Sequence, residues 1–352
     1  MSAPARWRRL LVRGLLLLGA LLALLEVSLR VAGARVRFPT PCAWNDRVGC
    51  LMRPHLSDEF VAFGSGFHFT TNAAGRRDRP RGDKPAGGRR VLVLGDSVAF
   101  GAPVEDGETF SAQLEARLGG QGVEVVNAGS PWLRGTEQQL SYFLDRGAAL
   151  SPDVVLLTFT ARNDFTDNAH RYFWRPVAGQ GEGAIERVER TEPATLHHRL
   201  VLRLGALAPV RFLDAHSWLW NRLEAAALHI MHLPPVERPH QDRTAATEDV
   251  LWRLQQEVTR AGATLVVLLQ PSPELLSALR RHDPPPPGGD EELLLALARR
   301  HGIAVIDPTA LLASAPDQAR LDDADGHLSV RGHAAIAELL GDRLPLTRRS
   351  AP

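Results

Sequence analysis

The chain has 352 residues, of which 44% are hydrophobic and 23% are charged, and its 41 basic side chains nearly balance its 40 acidic ones. These fractions are those of an ordinary globular protein, so disorder over the whole chain is excluded. Because neither charge dominates, nucleic acid is not an expected partner. The length indicates one large domain or two small ones.

Residues 1–34 have the pattern of an export segment. Four arginines precede an uninterrupted run of small and apolar residues over 14–25. With its apolar flanks the run is long enough to cross a bilayer, and the arginines would then stay on the cytoplasmic side. We therefore expect a cytoplasmic stub and a single-pass membrane anchor, with the rest of the chain periplasmic or at the cell surface. The alternative is a secreted protein, cleaved at the A-x-A pattern Ala32-Gly33-Ala34.

Residues 35–88 are rich in Pro, Gly and Arg and are expected to connect the anchor to the next domain. They contain both cysteines of the chain, Cys42 and Cys50. Two thiols alone cannot form a four-ligand zinc site. In an oxidising compartment a local disulfide between them is the expected outcome.

A regular α/β pattern occupies residues 89–345. Short apolar runs predict five strands, over 91–94, 123–126, 154–159, 264–269 and 303–306. Apolar residues at helical spacing predict helices over 109–118, 137–144, 247–261, 292–300 and 330–340, the last ended by Gly341. Strands that alternate with helices predict a three-layer α/β/α fold with a parallel sheet covered on both faces.

One segment, at about 170–243, interrupts this pattern with a series of tryptophans and apolar residues broken by prolines. It is interpreted as a helical cap inserted into the domain. Packing on the sheet edge is the favoured role, because apolar helical faces are usually core. A substrate-binding lid or a membrane-facing surface is the alternative.

Candidate site residues follow the predicted strands at the sheet edge where α/β proteins bind ligands. Ser97 comes after the first strand, Gly129 after the second and Asn163 after the third, while His327 precedes the last helix. A Ser at such a turn can expose its hydroxyl, a Gly and an Asn can offer N–H donors, and a His can act as a general base. Each residue alone is more often an ordinary loop residue.

Taken together, the four residues resemble the sequence blocks of the SGNH, or GDSL-type, hydrolases. The match covers about residues 91–344, except for the insertion, and residues 71–76 are similar to those of exported, membrane-anchored bacterial members. The resemblance implies a five-stranded parallel sheet of the SGNH-hydrolase, flavodoxin-like type. It also implies no metal and no organic cofactor.

The chain departs from the commonest pattern of this family at one position. That pattern places an Asp three residues before the His, but residue 324 is Ala. Asp325 is the expected orienting carboxylate, because alternate residues of an extended segment point the same way. Asp322 and Asp323 are the alternatives.

The resemblance implies a serine esterase or acyl hydrolase acting through a covalent acyl-Ser97, with His327 as base and Asp325 as its partner. The Ser97 N–H, the Gly129 N–H and the Asn163 amide would form the oxyanion hole. An acylated envelope carbohydrate, a lipid or a small ester is the expected substrate. An O-acyltransferase that modifies a cell-envelope polysaccharide is one alternative, and a catalytically silent envelope binding protein is another, although the intact residue set argues against silence.

Overall fold

A computed structural model describes most of the chain. The described residues are 3–32, 42–45, 48–62, 65–131, 133, 135–170, 172–176, 185–189, 209, 212–213, 216–220, 222–223, 242–285, 287–314 and 326–346. The chain divides into two compact units. The N-terminal unit comprises Met1–Thr40, Glu59–Gly66 and Ala194–Glu237, and the sheet unit comprises Pro41–Asp58, Phe67–Pro193 and Arg238–Pro352.

The N-terminal unit begins with helix α1, Ala3–Val31. Its stretch from Trp7 to Val31 has a mean hydropathy of 2.3, and none of its residues is fully buried. At about 1.5 Å per residue, such a helix is long enough to cross a hydrocarbon core of about 30 Å. The expected apolar helix is present, and its length and composition fit either a membrane anchor or a signal sequence.

The connector forms two short antiparallel pairs. Strands β1 (Cys42–Asn45) and β2 (Gly49–Met52) make one pair, and β3 (Ser57–Ala62) and β4 (Ser65–Thr70) make the other. These strands supply the short ordered pieces expected within residues 35–88.

The predicted disulfide between Cys42 and Cys50 is not supported. Cys42 lies opposite Met52 in the β1–β2 ladder, and Cys50 lies opposite Trp44. The two cysteines are therefore diagonal neighbours, and such positions are about 7–8 Å apart. Disulfides usually join residues whose Cα atoms are about 4.4–6.8 Å apart. Spacing along the chain does not reveal this register.

The remaining strands belong to the sheet unit. They are β5 (Arg89–Leu94), β6 (Val123–Asn127), β7 (Val154–Thr160), β8 (Tyr172–Pro176), β9 (Ile185–Glu189), β10 (Thr264–Gln270) and β11 (Ala304–Ile306). Five of them form one parallel sheet in the order β11-β10-β7-β5-β6, while β8 and β9 form a separate antiparallel pair. The five predicted strands are confirmed.

Helices follow the strands along the chain. They are α2 (Ser97–Phe100), α3 (Phe110–Leu118), α4 (Thr136–Tyr142), α5 (Asp164–His170), α6 (Arg243–Arg260), α7 (Pro273–Arg280), α8 (Asp290–His301), α9 (Thr309–Ala313) and α10 (Val330–Arg343). The five predicted helices are present, with shifted ends. Helix α10 does not end at Gly341 as predicted but continues to Arg343. A Cβ at Gly341 would lie only 3.0 Å from Arg117 Nε, so this glycine permits close packing of α10 on α3 instead of ending the helix.

Two hydrophobic clusters lie on opposite faces of the sheet. Leu92 and Leu94 of β5 belong to the cluster that includes residues of α4, α6 and α8. Val91 and Val93, which alternate with them, belong to the cluster that includes residues of α3, α7 and α10. Since successive side chains of a strand point to opposite faces, this division gives the expected three-layer α/β/α fold.

A buried histidine joins α10 to α3. His333 is fully buried, its Nδ1 accepts a hydrogen bond of 3.0 Å from the Phe110 N–H, and its ring stacks on Phe110. Burial lowers the pKa of His333 from 6.5 to about 3, and the positive charges of Arg77 and His327 act in the same direction. The folded protein therefore holds this ring neutral.

We expect His333 to make the fold sensitive to acid. Since its pKa is lower in the folded state, its stabilising contribution is complete above pH 6.5 and is lost as the pH falls toward 3. Between these limits it should change the unfolding free energy by up to about 1.4 kcal/mol per pH unit. Urea unfolding at several pH values should give a shallower acid dependence for His333→Gln than for the wild type. Equal dependences would contradict this assignment.

Candidate active site

The first site residue, Ser97, lies where β5 turns into α2. Gly95 has a φ of +151°, and a Cβ placed there would lie 2.7 Å from the Ala99 Cβ, so the turn requires glycine. Asp96 caps α2 by accepting a hydrogen bond of 2.9 Å from the Val98 N–H. Ser97 thus becomes the first residue of a helix, with its side chain partly exposed at the sheet edge.

Ser97 and His327 meet at this edge. The Ser97 Oγ lies 3.0 Å from His327 Nε2, although the two residues are 230 positions apart in the sequence. A ring that accepts the serine proton at Nε2 carries its own proton at Nδ1. The arrangement therefore suits proton transfer from the serine to the histidine.

The segment from Gly326 to Ser329, which contains His327, is held at both ends. Gln270, the last residue of β10, is 1% exposed and donates a 2.9 Å hydrogen bond from Nε2 to the Gly326 carbonyl. Gly326 has a φ of +83°, which favours glycine. On the other side, Ser329 caps α10 by accepting from the Gly332 N–H at 3.1 Å. His327 is thus held between a buried hydrogen bond and a helix cap.

Gln270 was not among the residues identified from sequence. The sequence could have indicated it, because Gln270 is a polar residue at the end of an apolar strand, where α/β sheets bind ligands. The three aspartates considered as orienters, Asp322, Asp323 and Asp325, lie outside the described residues. The assignment of Asp325 stays a prediction.

Gly129 lies against the backbone of α2. A Cβ at Gly129 would lie 2.5 Å from the Ala99 carbonyl carbon and 2.5 Å from the Phe100 nitrogen, so only glycine fits. Its N–H donates to Asn127 Oδ1 at 3.0 Å. Donation to a substrate oxyanion would require this N–H to share or release that bond.

Asn163 follows β7 and is surrounded by carboxylates. Its Nδ2 lies 3.1 Å from Asp167 Oδ2, 3.4 Å from Asp164 Oδ1 and 3.5 Å from Asp96 Oδ2. The structure thus brings Asn163 next to the residue that precedes Ser97. None of these three carboxylates was identified from sequence as a site residue, although Asp96 directly precedes Ser97 and Asp164 directly follows Asn163.

Two of the carboxyl groups beside Asn163 are buried and have raised pKa values. Asp96 and Asp164 are 5% and 0% exposed. Burial raises the pKa of both, and the charge of Asp96 raises that of Asp164 further. A backbone N–H of Thr160 donates to Asp164 Oδ2 at 2.9 Å. Among the described residues, no group of three or more His, Cys, Asp or Glu side chains is arranged to hold a metal ion.

Gln270→Ala should lower kcat by about tenfold or more with little change in KM. The substitution leaves the buried Gly326 carbonyl without its donor, a loss of about 1–3 kcal/mol that falls on the loop holding His327. Ester hydrolysis and urea unfolding are the measurements. Gln255→Ala is the matched control, since Gln255 donates to the His301 carbonyl at 3.0 Å elsewhere in the sheet unit. A similar loss of kcat in both variants would contradict a specific role for Gln270.

The chain was compared with known proteins. No protein-family model matches it. No curated protein matches it.

Solved structures with a similar fold include the following three. A member of the lipolytic protein G-D-S-L family from Veillonella parvula is 13% identical, with 74% of this chain and 100% of that chain covered and a TM-score of 0.40. A catalytic mutant of an acetylxylan esterase from Geobacillus stearothermophilus is 14% identical, with 75% and 98% covered and a TM-score of 0.40. The esterase EstA from Pseudoalteromonas sp. is 10% identical, with 72% and 95% covered and a TM-score of 0.40. In its own sheet topology and in the order of its site residues, the chain is similar to the SGNH, or GDSL-type, hydrolases.

Proposed function

We propose that the chain is a serine ester hydrolase of the SGNH type. The observation that carries the proposal is the 3.0 Å approach of Ser97 Oγ to His327 Nε2 at the carboxyl edge of a parallel sheet. A serine hydroxyl is a weak nucleophile at neutral pH, and an adjacent general base activates it.

In the first half of the reaction, Ser97 Oγ bonds to the ester carbonyl carbon while its proton moves to His327 Nε2. The resulting tetrahedral intermediate collapses, and the bond from carbon to the leaving oxygen breaks. His327 returns the proton to that oxygen, so the alcohol leaves neutral and the acyl group remains on Ser97.

In the second half, water replaces the alcohol. His327 takes a proton from the water as its oxygen bonds to the acyl carbon, and it then returns a proton to Ser97 Oγ as the carboxylic acid leaves. Ser97 and His327 therefore act in both halves of the reaction, and no cofactor takes part in the proposed steps.

We assign the oxyanion hole to the Ser97 N–H, the Gly129 N–H and the Asn163 amide. Ser97 opens a helix, and the first N–H groups of a helix have no partner within it. Asn163 Nδ2 lies near three carboxylates, so its donation to a substrate oxyanion would require it to share or exchange one of these bonds. One donor of this kind typically contributes about 2.7–4 kcal/mol to transition-state stabilisation.

The substrate is proposed to be an acylated envelope carbohydrate, a lipid or a small ester. An O-acyltransferase would use the same acyl-Ser97 with a sugar hydroxyl in place of water, and a silent binding protein would not form it. Helix α1 is proposed to anchor the chain in the membrane with the sheet unit outside the cytoplasm. Secretion after signal cleavage is the alternative.

Ser97→Ala should abolish covalent labelling by a fluorophosphonate probe, because the probe needs a serine that an adjacent base activates. Mass spectrometry of the labelled wild type should place the adduct on Ser97. Ser277→Ala is the control, since Ser277 is also partly buried but lies on α7. Labelling that survives Ser97→Ala, or an adduct on another serine, would refute the proposal.

Asp325→Asn should lower kcat by orders of magnitude, because a carboxylate partner keeps the His327 proton on Nδ1 and stabilises the charged ring. The parallel variants Asp322→Asn and Asp323→Asn should keep kcat nearly unchanged. A larger loss in Asp323→Asn would mean that the loop is not extended as the spacing predicts. Steady-state ester hydrolysis by all three variants decides between these outcomes.

A further inference from the structure

Two charged residues interrupt the apolar helix α1 near its carboxyl end. Glu26 and Arg30 lie one helical turn apart and form an ion pair with an N–O distance of 2.7 Å. Charged groups in an apolar helix need polar partners or access to water. The partners of this pair come from the insertion.

A short segment of the insertion binds Glu26 through three hydrogen bonds. Its carboxylate accepts from the Ser217 hydroxyl at 2.9 Å, from the Trp218 N–H at 3.0 Å and from the Leu219 N–H at 2.8 Å. The Arg30 guanidinium donates to the His216 carbonyl and lies 5.6 Å from the centre of the Trp218 ring. The segment is therefore fixed at the level of Glu26 on α1.

The position of Glu26 along α1 fits a membrane boundary. Glu26 directly follows the uninterrupted apolar run 14–25, and Arg13 directly precedes it. The two charged residues are 13 positions apart, which corresponds to about 20 Å along the helix. Charged side chains are costly in the hydrocarbon core, and a bilayer accommodates a short apolar run by thinning and by the reach of the flanking charged side chains. With Arg13 at the cytoplasmic boundary, Glu26 lies at the opposite one, and residues 216–219 lie there with it.

The described residues around this contact expose apolar side chains. Phe212 is 63% exposed, Leu213 38% and Leu223 57%. Trp218 and Trp220, both partly exposed, lie between them in the sequence. Tryptophan is enriched at membrane–water boundaries, and exposed apolar clusters are typical of surfaces that bind a partner or a membrane.

We propose that the described part of the insertion between positions 209 and 223, which comprises residues 209, 212–213, 216–220 and 222–223, lies in the interface of the lipid bilayer, docked on α1 through Glu26. Their partner is the lipid itself, because the contact with α1 places them at the depth of the headgroups. The inference rests on the proposed membrane anchoring. It assigns this part of the insertion to the membrane surface. From the sequence, packing on the sheet edge was the favoured role of the insertion, and a membrane-facing surface was an alternative.

The test measures lipid contact at position 212 in the full chain. Phe212→Cys, made with Cys42→Ser and Cys50→Ser, is labelled with an NBD fluorophore and reconstituted in phosphatidylcholine vesicles that contain doxyl-labelled lipid. Leu311→Cys in the same background is the control, since Leu311 is exposed on α9 of the sheet unit. We expect at least threefold stronger quenching at 212 than at 311. Equal quenching would overturn the proposal.

A second pair of variants tests docking. Glu26→Ala should reduce quenching at 212 toward that at 311, because the acceptor of three hydrogen bonds is lost. Ser28→Ala should leave it unchanged, since the Ser28 hydroxyl donates to the Leu24 carbonyl within α1. Unchanged quenching in Glu26→Ala would overturn the docking contact.

Alkaline carbonate washing separates the two proposals. Release of the wild-type protein would overturn both the anchor and the interfacial segment. Retention without quenching at 212 would overturn only the interfacial segment.

Circular dichroism checks the folding of each variant. If the Cys→Ser background does not fold, the fluorescence of the native tryptophans can be quenched with brominated lipid instead. The fraction quenched should fall in the double variant Trp218→Phe/Trp220→Phe. An unchanged fraction would again overturn the proposal.

Discussion

The arrangement of the site depends on two positions that cannot carry a side chain. At Gly95 an added Cβ would lie 2.7 Å from the Ala99 Cβ, and at Gly129 it would lie 2.5 Å from the Phe100 nitrogen. Both glycines face the short helix α2, so the backbone that follows β6 can approach α2 closely. This approach keeps Ser97 at the edge of the sheet beside the segment that contains Gly129. Any larger residue would separate the proposed nucleophile from a proposed oxyanion donor.

The polar groups beneath the site form a second constraint. Asp96 caps the helix that begins at Ser97 and also lies 3.5 Å from the Asn163 amide. Asp164 is fully buried beside it, and its pKa is raised well above its usual value by burial and by the neighbouring charge. Asp96 and Asp164 thus position the side chain of Asn163, while burial opposes the ionisation of both carboxyl groups.

Much of the fold was predictable from sequence because apolar runs and helical spacing depend on burial. All five sheet strands were identified, since each contains a short apolar run, which is largely buried in every strand except β11. Features that depend on contacts between distant residues were not identified. The bond from Gln270 to Gly326 joins a strand to a loop 56 residues away. The register that separates Cys42 from Cys50 depends on a turn that the spacing of the cysteines does not specify.

The separation of Ser97 from His327 along the chain has a consequence for biosynthesis. The contact between Ser97 and His327 joins the end of β5 to a segment that follows β11 in the chain. It can therefore form only after the intervening strands β6, β7, β10 and β11 have been added to the sheet. Contacts between residues so far apart in sequence form late, because the chain between them must first be ordered. In the proposed mechanism, a partly synthesised chain that ends before residue 327 holds Ser97 without its base, and such a hydroxyl is a weak nucleophile. The proposed reactivity toward esters would therefore arise only after residue 327 has been added and the domain has folded.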